Sequence, residues 1–174
     1  MKKLLSVLLL SAALLAAQAP TRAPGFCLSD TNGQWRDLQD YRGKVVLLEF
    51  MQTTCPHCAD FNKVLTAINR KYGDKVQILS VGIMPQDTMP GLIQYVKGHS
   101  LPWPHLLDMG QMAFSYVRNP NLNFPTVYLI DGNGTIVNHW EQSALTKGIF
   151  EGDQLSREID RLLGGAVPAA SKKR

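Results

Sequence analysis

The chain has 174 residues, 45% of them hydrophobic, with 18 basic and 14 acidic side chains for a formal net charge of +4. That length is about one domain with enough volume for a real core, and its three cysteines, an odd number, exclude a fully paired disulfide framework. Lys2, Lys3, Lys172, Lys173 and Arg174 sit at the two ends, so the body is close to neutral and lacks the clustered basic residues of a nucleic-acid groove.

Residues 1–19 read as a secretory signal peptide. Lys2 and Lys3 form a basic start, Leu4 to Ala16 an apolar run, and Ala17-Gln18-Ala19 a small-residue cleavage pattern. The run is shorter than the roughly 20 residues a spanning helix needs; the alternative is an uncleaved membrane anchor. Cys27 follows Pro24-Gly25-Phe26, which is no lipobox. Cleavage after Ala19 removes two lysines and no acids, taking the charge from +4 to +2. Export to the periplasm or another extracytoplasmic space places the cysteines in an oxidising compartment.

The domain is expected over 20–163. Residues 20–25 read as a flexible leader, Phe26 to Leu28 as a short edge strand, and Asp30 to Gly33 as a turn. Val45-Val46-Leu47-Leu48-Glu49-Phe50-Met51 is a nearly continuous apolar run, the pattern of a central strand covered on both faces. A helix is expected over 56–72, with Pro56 in its first turn, Phe61, Val64, Leu65 and Ile68 on one side, and Gly73 at its end. A buried strand follows over 76–81, then helices over 92–97 and 112–117. A strand over 126–130, the turn Asp131-Gly132-Asn133-Gly134 and a returning strand over 135–140 make a hairpin. A helix over 154–163 precedes a disordered tail over 164–174. The order implies one α/β domain, a three-layer sandwich around a mixed sheet.

Cys55-Pro56-His57-Cys58 stands directly after the apolar strand. One such pair with no second pair elsewhere favours a redox dithiol, with a permanent disulfide or a metal site as the alternatives. At a helix N-terminus, free N–H groups and the helix dipole favour the thiolate of Cys55, and His57 adds a positive charge or a donor. Cys58, one turn deeper, is then the resolving thiol. Glu49 interrupts the buried strand, where a carboxylate is costly unless paired or protonated. Cys27 reads as a small residue filling a strand position, with a regulatory or intermolecular disulfide as the alternative. His99, His105 and His139 read as surface or packing residues, and Trp103, between Pro102 and Pro104, as loop packing.

These pieces resemble the thioredoxin superfamily, and within it the exported TlpA/ResA-like branch. The resemblance rests on Ala23-Pro24-Gly25-Phe26-Cys27-Leu28, the strand-to-CxxC junction, Phe124-Pro125-Thr126 and the hairpin from Tyr128 to Val137, in an order that spans nearly the whole chain after the signal. It implies a thioredoxin-like α/β/α sandwich, an acid at Glu49 that exchanges a proton with Cys58, and a cis-proline loop at Pro125 that faces the dithiol and pairs with substrate backbone. Phe124, Pro125 and Thr126 would then line the substrate groove. Two features depart from that branch. Thr54 stands where members usually carry a Trp, and the tetrapeptide with Leu48-Glu49-Phe50 before it resembles the oxidase DsbA. Only about 66 residues separate Cys58 from Pro125, too few for the helical insertion typical of DsbA.

The resulting expectation is an exported protein-disulfide oxidoreductase, acting as a reductase and needing no cofactor beyond the Cys55–Cys58 pair. Its partners would be cysteine-containing exported proteins and a membrane thiol redox partner. A DsbA-like oxidase or isomerase is the first alternative; a copper chaperone of the same fold is the second, although such chaperones place three residues between the cysteines. A peroxiredoxin needs Pro-x-x-x-Thr-x-x-Cys, and Leu48 and Gln52 stand at those Pro and Thr positions.

Overall fold

The computed structural model describes residues 21–108, 110–116 and 122–164; the signal peptide expected over 1–19 and residues 165–174 of the expected tail lie outside them. The chain begins with β1 (Thr21–Arg22), β2 (Cys27–Ser29) and β3 (Trp35–Asp37), then the central β4 (Val45–Met51). Helix α1 (Pro56–Tyr72) leads to β5 (Val76–Gly82), and α2 (Met89–His99) to β6 (His105–Leu107). After α3 (Gln111–Tyr116) come the hairpin strands β7 (Thr126–Ile130) and β8 (Thr135–Glu141), then α4 (Lys147–Phe150) and α5 (Asp153–Gly164).

The main sheet has six strands in the order β1-β8-β7-β4-β5-β6. Strand β4 runs parallel to β5 and antiparallel to β7, and β5 runs parallel to β6, so the sheet is mixed as expected. All seven residues of β4 are buried, because helices and loops cover both faces. On one face Val45, Leu47 and Met51 pack with Phe61, Leu65 and Ile68 of α1, Leu92 of α2 and Leu155 and Ile159 of α5. On the other, Val46, Leu48 and Phe50 pack with Phe26 and Leu38 from the N-terminal segment and Met112 and Tyr116 of α3. This is a three-layer sandwich. Each fully buried Leu or Phe contributes about 1.5–3 kcal/mol of transfer free energy.

Three short elements differ from expectation. The leader expected to be flexible supplies β1, which pairs with β8 through Thr21↔Ile136 and Arg22↔Thr135. The short strand expected at Phe26 to Leu28 runs Cys27–Ser29 and pairs with β3 in a separate two-stranded ladder, off the main sheet. Strand β6 was not anticipated: it is three residues long, begins with His105, and holds its place through Ser80↔His105 and its two neighbours in register. Each is two or three residues long and held by backbone pairing, which leaves no side-chain periodicity; β1 pairs with β8 far along the chain, whereas β2 pairs with β3 across the short turn at Asp30. The turn at Asp30 is as expected. Its carboxylate accepts from the N–H groups of Asn32 and Gln34 at 2.8 and 2.9 Å and from Arg36 Nε at 2.8 Å.

Substituting Leu47→Ala on one face and Phe50→Ala on the other should each lower the unfolding free energy by about 2–5 kcal/mol, measured from urea transitions. A small loss at either position would mean that its face is not core.

Candidate active site

Strand β4 ends at Met51, and the chain turns through residues 52–54 to place Cys55 at the N-cap of α1. The Cys55 N–H donates to the Gln52 carbonyl at 3.1 Å, and its own carbonyl accepts from Ala59 N–H at 3.2 Å. Pro56 occupies the first turn, where its missing N–H costs nothing. Among the described residues no side chain caps the helix. Cys55 is half-buried, Pro56 and His57 are exposed, and Cys58, one turn on, has no exposed surface. Both thiols are free in this state, as is the exposed Cys27.

The second wall comes from the start of β7. The Phe124–Pro125 peptide bond is cis, as the resemblance implied. The Cys55 thiol donates toward the Phe124 carbonyl at 3.7 Å, so residues 69 positions apart meet at the site. Phe124 is half-buried against the core, Pro125 is buried, and the Pro125 carbonyl accepts from Gln142 N–H at 3.0 Å. Thr126 is buried and donates its hydroxyl to the Asn123 carbonyl at 2.7 Å.

One residue behind the dithiol escaped the sequence reading. Asp87 is buried and accepts from Thr53 N–H at 2.9 Å, from the Thr53 hydroxyl at 2.6 Å and from Met84 N–H at 3.1 Å. It ties the turn before Cys55 to the loop after β5. A Cβ at Gly82 would lie 3.3 Å from the Asp87 Cβ, so the glycine leaves room for this carboxylate. The only available signal was an aspartate five residues past a buried strand, which is common in loops.

Beneath the thiols lies a polar layer. Glu49, 1% exposed, faces α1, and burial pushes its carboxyl up to about 7, against a hydrogen bond from Ser80 at 2.5 Å that lowers it. Burial, and then the neighbouring Glu49 charge, push the Cys58 thiol well up. Tyr95 is likewise raised, first by burial and next by Glu49, and its hydroxyl accepts from Asn62 Nδ2 at 2.7 Å. Glu49 thus stands close enough to Cys58 and Tyr95 to influence both. Trp103 and His105 are buried packing residues, and burial drives His105 down to about 4. His99 packs on Tyr95, and His139 stacks on Tyr128. Among the described residues, no group of three or more His, Cys, Asp or Glu is arranged to hold a metal ion.

The sequence model of the AhpC/TSA family matches residues 20–139, a span that holds both the CxxC turn and the cis-proline loop. The chain belongs to the AhpC/TSA family. Within it, the thiol-disulfide oxidoreductase ResA of Geobacillus kaustophilus (strain HTA426) is 29% identical over 157 residues, 88% of this chain and 80% of that protein. A ResA of Geobacillus thermodenitrificans (strain NG80-2) is 31% identical over 125 residues, 70% of this chain and 68% of that one. The crystal structure of a thiol:disulfide interchange protein of the thioredoxin family from Chlorobium tepidum TLS superposes with a TM-score of 0.67 at 19% identity, covering 86% of this chain and 100% of that chain. The fold is thioredoxin-like, as the sequence led one to expect. The Pro and Thr of a Pro-x-x-x-Thr-x-x-Cys loop are absent before Cys55, where Leu48 and Gln52 stand.

The buried carboxyl carries a pH signature. Its folded pKa lies above its unfolded value of 4.5, so between the two the folded state holds more protons and stability falls as pH rises from about 4.5 to about 7. A rise of that size penalises the ionised form by about 3 kcal/mol. His105 works oppositely, gaining stability from about 4 toward 6.5. Glu49→Gln removes the first contribution only. Urea denaturation should therefore show the variant gaining stability relative to the parent across pH 4.5–7 and holding that gain above it.

Proposed function

We propose that the chain is an exported thiol–disulfide oxidoreductase that reduces disulfides in partner proteins through Cys55 and Cys58. The observation that carries this reading is the pairing of a half-buried Cys55 at the α1 N-terminus, 3.7 Å from the Phe124 carbonyl, with a fully buried Cys58 behind it. One sulfur is reachable by a substrate and the other only by its neighbour. The relatives named thiol-disulfide oxidoreductase ResA support the same chemistry.

The steps follow from that inequality. The Cys55 thiolate attacks a substrate disulfide; a Cys55–substrate bond forms and one substrate sulfur leaves as thiolate. Cys58 then gives its proton to the Glu49 carboxylate and attacks the Cys55 sulfur. The Cys55–Cys58 bond forms, the bond to substrate breaks, and the departing sulfur takes up a proton. Two electrons pass from the dithiol to the substrate. A thiol redox partner in the membrane returns them, and no further cofactor is needed. Phe124, Pro125 and Thr126 supply the wall along which the substrate lies.

The Pro56-His57 pair supports a second reading, a DsbA-like oxidase, because a positive charge or hydrogen-bond donor beside Cys55 would make it a better leaving group. The reduction potential separates the two: a reductase should lie near the thioredoxin value of about −270 mV, an oxidase near about −120 mV. Cys55→Ser should abolish insulin reduction. Cys58→Ser should keep attack by Cys55 but accumulate mixed disulfides on non-reducing gels. Retained turnover in Cys55→Ser would overturn the assignment.

The export reading rests on the leader-like pattern of residues 1–19. Among the described residues no helix is long and apolar enough to cross a membrane. Mass spectrometry of the protein produced in a bacterial host with its full leader should give a chain starting at Pro20, whereas an intact Met1 start would point to the anchor alternative.

A further inference from the structure

Glu49, Ser80 and His105 are in register across β4, β5 and β6, so their side chains share the sheet face beneath α1. Glu49 Oε2 accepts from Ser80 Oγ at 2.5 Å, and Ser80 Oγ accepts from Trp103 Nε1 at 2.9 Å. Ser80 is 0% and Trp103 4% exposed. Glu49 Oε1 has no hydrogen-bond partner among the described residues. The indole is held in turn by His105, whose Nδ1 lies 2.9 Å from the Trp103 carbonyl and whose ring stacks on it at 5.6 Å.

An indole N–H only donates, and a serine hydroxyl has a single proton to give. Trp103 therefore sets the direction of the chain: Ser80 accepts from the indole and spends its O–H on Oε2. A proton on Oε2 would make that oxygen a poorer acceptor for the Ser80 O–H, so the chain disfavours protonation there. That leaves Oε1 as the favoured oxygen for the proton.

We propose that Ser80 and Trp103 are positioning residues for the resolving step, confining the exchangeable proton of Glu49 to Oε1 and keeping the carboxylate form within reach of the Cys58 thiol. This rests on the reading that Glu49 accepts that proton. The titratable groups around Glu49 are Cys55 and Cys58 at the start of α1, Tyr95 on α2 and His105 on β6; its β7 neighbour in register is the apolar Val127. Cys58 and Tyr95 are shifted upward and His105 downward, which leaves Glu49 as the member of the polar layer that titrates near neutrality.

The test is stopped-flow reaction of the reduced protein with DTNB. Release of the first thionitrobenzoate reports attack by Cys55. The second, independent of DTNB concentration, reports attack by Cys58 on the mixed disulfide, where Cys55 has no proton to lose. In the parent the second rate should rise with pH through the Glu49 midpoint, and Glu49→Gln should remove that rise. Ser80→Ala should move the midpoint up by about one pH unit and slow the second phase about tenfold below it, since a hydrogen bond to the charged form is lost. Trp103→Phe, which keeps a ring but no N–H, should move it the same way by less, and Ser80→Thr should restore it. If Glu49→Gln leaves the profile unchanged, the proton role fails and the proposal with it. If Glu49→Gln flattens the profile while Ser80→Ala and Trp103→Phe keep the parent midpoint, the proton role stands and the positioning role is overturned. Should Ser80→Ala not fold, the Trp103 Nε1–H resonance of the parent decides. A shift tracking the kinetic midpoint supports the proposal, and a resonance that does not move across the neutral range sinks it.

Discussion

A carboxyl group buried in the middle of the central strand, directly under a buried thiol, is the constraint around which this molecule is arranged. Glu49 and Cys58 are each almost without exposed surface; burial penalises the ionised form of both, and the Glu49 charge raises Cys58 further. Ionising both at once is the costly state of this layer. The neighbouring elements fix the layer in place: β4 and β5 bring Glu49 and Ser80 into register, Trp103 and His105 brace them, and α1 carries Cys58.

The same arrangement explains the unequal exposure of the two thiols. The helix starts so close to the end of β4 that only residues 52–55 separate the strand from Pro56. One cysteine is left at the rim, and the other, one turn on, is driven into the core among Phe61, Leu65 and Leu47. Asp87 fixes the intervening turn from the loop after β5, and the Phe124 carbonyl approaches the outer sulfur from β7. The site is assembled from three segments that share no sequence neighbourhood, all anchored in one sheet.

Much of this was legible in the residues. The all-apolar β4, the proline-started α1 and the Asp131–Gly134 hairpin are local signals, and each element appears within a residue or two of its expected bounds. Val64 is partly buried where Phe61, Leu65 and Ile68 are fully so, because a helix presents a stripe rather than a line. The short strands β1, β3 and β6 were not legible, since two or three residues paired through backbone atoms impose no side-chain pattern. Asp87 was not legible either: its importance lies in hydrogen bonds to a turn 34 positions earlier.

Spacing and apolar patterning alone specify the frame and the place of the dithiol. CPHC after a buried strand specifies a dithiol at a helix start, and an acid within that strand specifies a group whose charge must be managed. These follow from spacing and from the cost of burying polar atoms, which are properties of the chain. Which groups surround that carboxyl depends on contacts between segments far apart in the chain. Ser80 looked like one small residue in a strand and Trp103 like loop packing, yet the sheet register and the β6 loop bring them into a line ending on one oxygen of Glu49. Hydrogen-bond direction depends on angles and distances between distant segments, and no local pattern encodes it.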